Sequence, residues 1–218
     1  MAKKIKDENG KTYVQKKPFY KRFWFWILII IIIIGIGSQM DNSSSSKNGS
    51  SNNSSSTKST GITKSSWDKV NLSESTGTSP DSVRSLFNKK ASSTSENTIQ
   101  NVKSKVYTWD NVSGGGLGSS VTVSFSNDHA ISKSITGLKT NRPNKISLSD
   151  FDAIQNGTSK TDIQKKFGKP NMYSITNLAG STTEIWEYTS GVKGDAGANF
   201  NLTFANDVVS GKTQSSMK

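Results

Sequence analysis

The sequence predicts an α+β protein: an N-terminal transmembrane helix, a disordered linker, and then two tandem α-α-β-β-β-β domains, each with two helices on one face of an antiparallel sheet. Three observations carry this prediction. Residues 23–40 form an uncharged apolar run between Arg22 and Asp41. Residues 41–65 are a Ser/Asn tract with one large apolar residue, Ile62. Beyond that tract the sequence repeats itself at a nearly constant offset, with helix caps, apolar phase and turn signals in the same order in both copies.

The apolar run comes first. As a helix its 18 positions would span about 27 Å, close to the roughly 30 Å of a bilayer core. Phe19, Tyr20, Phe23, Trp24 and Trp26 crowd its N-terminal end, where amphipathic rings settle at the headgroup boundary. Lys16, Lys17, Lys21 and Arg22 precede it, whereas the other flank begins with Asp41. By the positive-inside rule residues 1–22 are a cytoplasmic basic tail, and the chain beyond residue 40 is exported. The expected location is the cell membrane, single-pass, with extracellular domains. Gly35-Ile36-Gly37 also offers a small-x-small cleavage pattern. The long basic region before the run and its bulky aromatics favour an uncleaved anchor over a cleaved signal peptide.

Charge and composition exclude several classes. Residues 1–22 hold eight Lys/Arg against Asp7 and Glu8, so half of the net +12 lies in the tail. From Ser66 onward, 17 basic residues face 13 acidic ones. A folded nucleic-acid-binding domain needs its basic excess on its own surface, so no nucleic-acid partner is expected. The absence of cysteine excludes disulfides, thiolate metal sites and a lipidated N-terminal Cys, and fits a bacterial exported protein. The tract 41–65 reads as a flexible spacer with a typical reach of about 25 to 30 Å.

The repeat sets residues 66–139 against 146–218. Trp67-Asp68-Lys69-Val70 aligns with Phe151-Asp152-Ala153-Ile154, and Gly77-Thr78-Ser79 with Gly157-Thr158-Ser159. Val106-Tyr107-Thr108-Trp109 aligns with Ile185-Trp186-Glu187-Tyr188, and Phe125-Ser126-Asn127-Asp128 with Phe204-Ala205-Asn206-Asp207. In the second copy Leu148, Phe151 and Ile154 recur at helical spacing behind a Ser147 or Ser149 cap. Thr158 or Ser159 then caps a second helix that ends at Gly168 and Pro170. Four extended runs follow, at 172–177, 183–189, 198–204 and 208–213, the last two joined by a tight turn at Asn206-Asp207. Phe200, Leu202 and Phe204 alternate toward the core, as do Val121, Val123 and Phe125. The loops at 113–120 and 190–198 are glycine-rich.

The pattern FDAIQNGTSKTDIQKKFGKP at 151–170, followed by Trp186-Glu187-Tyr188, resembles the small helix-helix-sheet domains of the SmpA/OmlA (BamE) group. Two such domains in tandem resemble the beta-lactamase inhibitor protein family, and the layout is similar to anchored proteins of Gram-positive bacteria. The first copy departs from the motif at Ser75-Thr76, inserted before Gly77, and at Asn88 where the second has Gly168. The resemblance implies a protein-binding, envelope-scaffold or inhibitor-like role, with the open face of the sheet as the contact surface.

No catalytic constellation is legible. His129 is the one histidine, in a hairpin turn, and aligns with Val208. Asp128, Asp195 and Asp207 stand apart, so neither a metal site nor a cofactor is expected. Ser85-Leu86-Phe87-Asn88 and Ser159-Lys160-Thr161-Asp162 miss the serine-nucleophile motif. Gly114-Gly115-Gly116-Leu117-Gly118 lies between strands rather than before a helix, so it is a hairpin loop and not a phosphate cradle. The binding candidates are Tyr107, Trp109, Trp186 and Tyr188, whose i, i+2 spacing puts each pair on one face of its strand. Exposed, they would be contact anchors; buried, they are the core beneath the helices. The expected function is a membrane-anchored, extracytoplasmic protein-binding or scaffold protein rather than an enzyme. The alternative is a binder of cell-wall polymer, using a mildly basic surface against teichoic acid or glycan.

Overall fold

The computed structural model describes residues 4–6, 12–14, 61–99 and 102–218. The segment 23–40, with its expected membrane helix, lies outside the described residues, as do most of the basic tail and the linker up to residue 60. Among the described residues no helix is long and apolar enough to cross a membrane. Within residues 1–55, which form a unit of their own, β1 (Lys4–Lys6) pairs antiparallel with β2 (Thr12–Val14), Ile5 opposite Tyr13.

The second unit, residues 56–218, carries the order α-α-β-β-β-β twice. It runs α1 (Lys64–Asp68), α2 (Pro80–Phe87), β3 (Ser93–Ile99), β4 (Val102–Asp110), β5 (Gly115–Ser126) and β6 (His129–Leu138). Then follow α3 (Leu148–Asp152), α4 (Lys160–Phe167), β7 (Met172–Leu178), β8 (Ser181–Tyr188), β9 (Gly194–Ala205) and β10 (Val208–Met217).

Local chemistry sets these boundaries. The side chains of Thr63, Ser79, Ser147 and Ser159 each accept a backbone N–H from three residues on, which satisfies a donor left free at a helix start. At Ser147 the cap is reciprocal, because the Asp150 carboxylate takes the Ser147 N–H in return. Gly168 ends α4 at φ +74°, and Asn88 ends α2 at φ +48°. The two caps differ: Asn88 is in the left-handed helical region at ψ +36°, which Asn tolerates better than most residues, whereas Gly168 lies at ψ −169°, a conformation largely confined to glycine. Asn127-Asp128 and Asn206-Asp207 all have positive φ, as two-residue hairpins require.

The sheet departs from the expectation of two separate domains. Strands β3 to β10 lie side by side in chain order in one eight-stranded antiparallel sheet. The seam is the pairing of β6 with β7, Ser132 opposite Thr176 through Ile135 opposite Tyr173. The physical reason is edge satisfaction: left apart, each half would present an unpaired strand edge, and joining them removes both. The connection at 140–145 is correspondingly fixed rather than free. Arg142 donates to the carbonyls of Phe167 (3.2 Å), Lys169 (2.5 Å) and Ser190 (2.7 Å), and its guanidinium lies 5.0 Å from the Tyr188 ring centre.

All four helices pack on one face. Phe87 meets Trp109 edge-on at 5.0 Å, Phe151 meets Phe200 at 5.6 Å, Phe167 meets Tyr188 at 6.3 Å and Trp67 meets Tyr173 at 6.2 Å. Val121, Val123, Phe125, Phe200, Leu202 and Phe204 complete one buried cluster that runs through both halves. Burying each such side chain contributes about 1.5 to 3 kcal/mol.

Candidate functional site

Because strand side chains alternate, fixing the helix-bearing face also fixes the other. Trp109, Val121, Ile135, Tyr173, Trp186 and Leu202 stand in one cross-strand row under the helices. Their neighbours in sequence form the rows of the open face. One row reads Ser93, Thr108, Thr122, Ser134, Ser174, Ile185, Thr203 and Gly211 across all eight strands. A second reads Ser95, Val106, Ser124, Ser132, Thr176, Thr183, Ala205 and Val208. A third contains Asp110, Ser120 and Thr136 in the first half and Met172, Glu187, Asn201 and Thr213 in the second.

The face so built is hydroxyl-rich. Thr108 and Thr122 share a hydrogen bond of 3.3 Å between their Oγ1 atoms, and Ser120 and Thr136 one of 3.2 Å. Val106 and Ile185 are its partly exposed large apolar members, outside the core cluster, whereas Met172 is 4% exposed and Ser132, Ser134 and Ser174 in the middle of the sheet are buried as well. No aromatic side chain and no basic one stands in the three rows, whose charged residues are Asp110 and Glu187.

Glu187 differs from the other carboxylates of the sheet. It is half-buried, and burial alone raises its pKa above the ordinary glutamate value. Among the described residues no hydrogen bond or ion pair engages its side chain. By contrast, Glu184 is held by Lys160 and by the Trp186 Nε1–H (2.5 Å), and Lys160 also reaches Asp207 at 2.6 Å. Asp128 is paired with Lys105 at 2.8 Å, which keeps its carboxyl below the usual range.

The four aromatic candidates are not on this face. Trp109 and Tyr188 are 0% exposed, Trp186 is 4% exposed, and Tyr107 is half-buried against the same core. Their spacing does place each pair on one face, but that face carries the helices, and a 70-residue half cannot form a core without its largest side chains. Trp109 and Tyr188 further tie their strands to helix ends, donating to the carbonyls of Lys89 (3.0 Å) and Gly168 (3.2 Å). The residue sequence reasoning passed over is Glu187. Its signal was present, since whatever lies between two core-facing aromatics must face the other way.

The remaining candidates are structural. His129 Nδ1 sits 3.2 Å from the Gly77 carbonyl oxygen. Gly114 to Gly118 are not the expected hairpin loop: Gly115 to Gly118 open β5, Gly115 stands opposite Leu138 on β6, the register breaks before Ser120, and Leu117 is fully exposed. Among the described residues no group of three or more His, Cys, Asp or Glu converges as a metal site. Lys133, on β6, faces the helices and borders a shallow depression with Asp68, Asn71 and Thr182. Its Nζ donates to the carbonyls of Trp67 (3.1 Å), Asp68 (3.1 Å) and Val70 (2.8 Å) at the end of α1. Burial pulls its pKa down to about 8, but its three donors are committed. Lys212 on β10 repeats the arrangement, donating to Phe151 and Asp152 at 2.9 and 2.8 Å.

Comparison with known proteins places the fold among solved structures. A candidate beta-lactamase inhibitor protein from Streptococcus mutans superimposes with a TM-score of 0.55 at 23% sequence identity, covering 70% of this chain and 94% of that one. At that identity the likeness concerns the fold. No curated protein matches the chain. A family model described as a domain of unknown function with a solved structure, DUF3862, matches residues 59–217, which include every element from α1 to β10. The chain belongs to the DUF3862 family.

Proposed function

We propose that residues 59–217 are a protein-binding module held outside the cell by the N-terminal apolar segment, with the open face of the sheet as its contact surface. The observation that carries this reading is the face itself. Three rows of Ser, Thr and Asn cross the sheet around Val106 and Ile185, and among the described residues no helix packs against them. Small hydroxyl side chains cost little to immobilise, and the apolar members supply area to bury, a combination suited to a polypeptide surface. The resemblance to a candidate inhibitor protein supports an inhibitor-like version of this role. The absence of a cleft that gathers free, perturbed titratable groups among the described residues supports binding over catalysis. We read the two halves as copies of one unit, supported by the double element order and by the matched lysines 133 and 212.

The wall-polymer alternative draws less support from this face. Teichoic acids are anionic, and the face offers two carboxylates and no cation. Such a polymer would have to use the lysines on the helix-bearing side.

The test is site-specific photo-crosslinking in the full-length anchored chain. A benzoylphenylalanine at Thr122 or Thr203, on the open face, is expected to capture a discrete protein, whereas one at Lys165 on α4 is not. Capture from Lys165 alone would overturn the assignment of the face.

A further inference from the structure

Within the second unit the charge distribution is uneven in an informative way. Beyond residue 65 basic residues outnumber acidic ones, yet the open face carries only Asp110 and Glu187. Four strand spacings separate them, about 19 Å, so they act singly and not as a cluster. Asp110 lies at a strand end and is exposed. Glu187 is different: it sits inside the sheet, with Met172 opposite on β7 and Asn201 opposite on β9, and Ile185 two residues before it on the same face. Ser174 and Thr203 complete its surroundings one row away. None of these neighbours titrates, and no cation reaches the carboxylate from β7, β8 or β9.

A half-buried carboxylate without a partner costs folding free energy, and the rest of the fold avoids that cost. The comparably shielded carboxylate, Glu184, is paired with Lys160, whereas Asp128, Asp207, Asp195 and Asp68 are more than half exposed and pair with lysines at the surface. The aligned position in the first half is Thr108, which takes the same place in its row without a charge and with a hydroxyl partner. The scaffold therefore does not need an acid here.

We propose that Glu187 is the charge anchor of the open face, receiving an arginine or lysine side chain from a protein partner whose neighbouring apolar residues cover Ile185. This rests on the open face being the contact surface, and it adds the partner's chemistry: a basic side chain flanked by apolar ones. The raised pKa of the carboxyl is the mark of the missing counter-charge, and a guanidinium docked on it would reverse that shift. Asn201 and the serine and threonine hydroxyls alongside supply further acceptors for the remaining N–H groups of the cation.

The experiment uses the full-length anchored chain with benzoylphenylalanine at Thr122 or Thr203, alone and combined with E187Q, E187D or E187K. The thermal midpoint of each variant confirms its fold. Adduct yield is expected to fall about tenfold or more with E187Q, since a charge-assisted hydrogen bond is removed while shape is kept. It should vanish with E187K and persist in part with E187D, and peptide mapping should place an arginine or lysine beside the crosslinked site of the partner. Unchanged yields in E187Q and E187K would overturn the anchor and leave the open face standing. No adduct from either position in the unsubstituted chain would overturn the face, and the anchor with it.

Discussion

At the scale of single residues, two buried ionisable side chains on opposite faces make opposite predictions. Burial holds the folded pKa of Glu187 above its ordinary 4.5. Between those two values the folded state retains a proton that the unfolded chain has lost, so stability falls as pH rises through the window and is regained on acidification toward 4.5. Glu187→Gln removes the dependence; denaturant unfolding across this range should give a flatter profile and, near neutral pH, a variant at least as stable as the parent. Lys133 has the reverse sign. Its ammonium is held at about 8 against 10.5 when unfolded, so stability rises with pH between those values. Replacing it is nevertheless harmful, because Lys133→Met removes the donor to the carbonyls of Asp68 and Val70 and leaves Trp67 O only its backbone donors. The expected loss is about 2 to 4 kcal/mol by chemical denaturation. A change under about 0.5 kcal/mol would show that water replaces the ammonium without cost. Neither role follows from local sequence: Ser132-Lys133-Ser134 reads as a polar strand, and only the packing of α1 against β6 reveals where the lysine goes.

Among the elements, what was legible depended on how local the determining chemistry is. The caps at Ser147 and Ser159, the stop at Gly168 and the Asn-Asp hairpins are decided within four residues, and the structure has them where the side chains require. Strand alternation was legible as well, but the choice of which face is buried was not, because it depends on where the helices dock. That is why Trp109, Trp186 and Tyr188 could be grouped correctly and still stand as binding candidates. Asn171 shows the limit most clearly. It sits at the start of β7 with no motif around it, yet its buried amide donates to Leu138 O (2.9 Å) and Ser190 Oγ (2.9 Å), and accepts from the N–H groups of Thr189 (3.0 Å) and Ser190 (3.2 Å). It thereby ties the end of β6 to the loop after β8. Asn171→Ala is expected to cost about 2 to 4 kcal/mol, since several buried groups lose partners at once. The exposed Leu117→Ser should stay within about 0.5 kcal/mol of the parent by the same measurement.

For the whole molecule the decisive feature is the seam, and it is the feature sequence repeats hide. A doubled element order suggests two domains, because likeness between halves says nothing about contacts between them. The contacts across the seam add to the Trp67–Tyr173 ring pair and the Asn171 amide. The strands pair through four residues on each side, Ser132 to Ile135 with Tyr173 to Thr176. The Glu74 carboxylate accepts the Ala179 N–H at 2.7 Å across the halves. Lys64, on α1, lies 4.4 Å from the Trp67 ring centre and 4.5 Å from that of Tyr173 on β7. Separated halves would expose the edges of β6 and β7 and part of the aromatic core, and units of some 70 residues have little stability to spare. Unfolding of residues 56–218 is therefore expected to be a single transition. Calorimetric and van't Hoff enthalpies should agree, and a core substitution in the first half alone, such as Val121→Ala, should lower the midpoint reported by Trp186 fluorescence in the second. A Ser174→Pro substitution, which removes a ladder donor from β7, the strand at the seam, should uncouple the halves or unfold both. Two transitions in the unsubstituted chain, with Trp186 blind to Val121→Ala, would show that four ladder pairs and a few side-chain contacts are too little to join the halves.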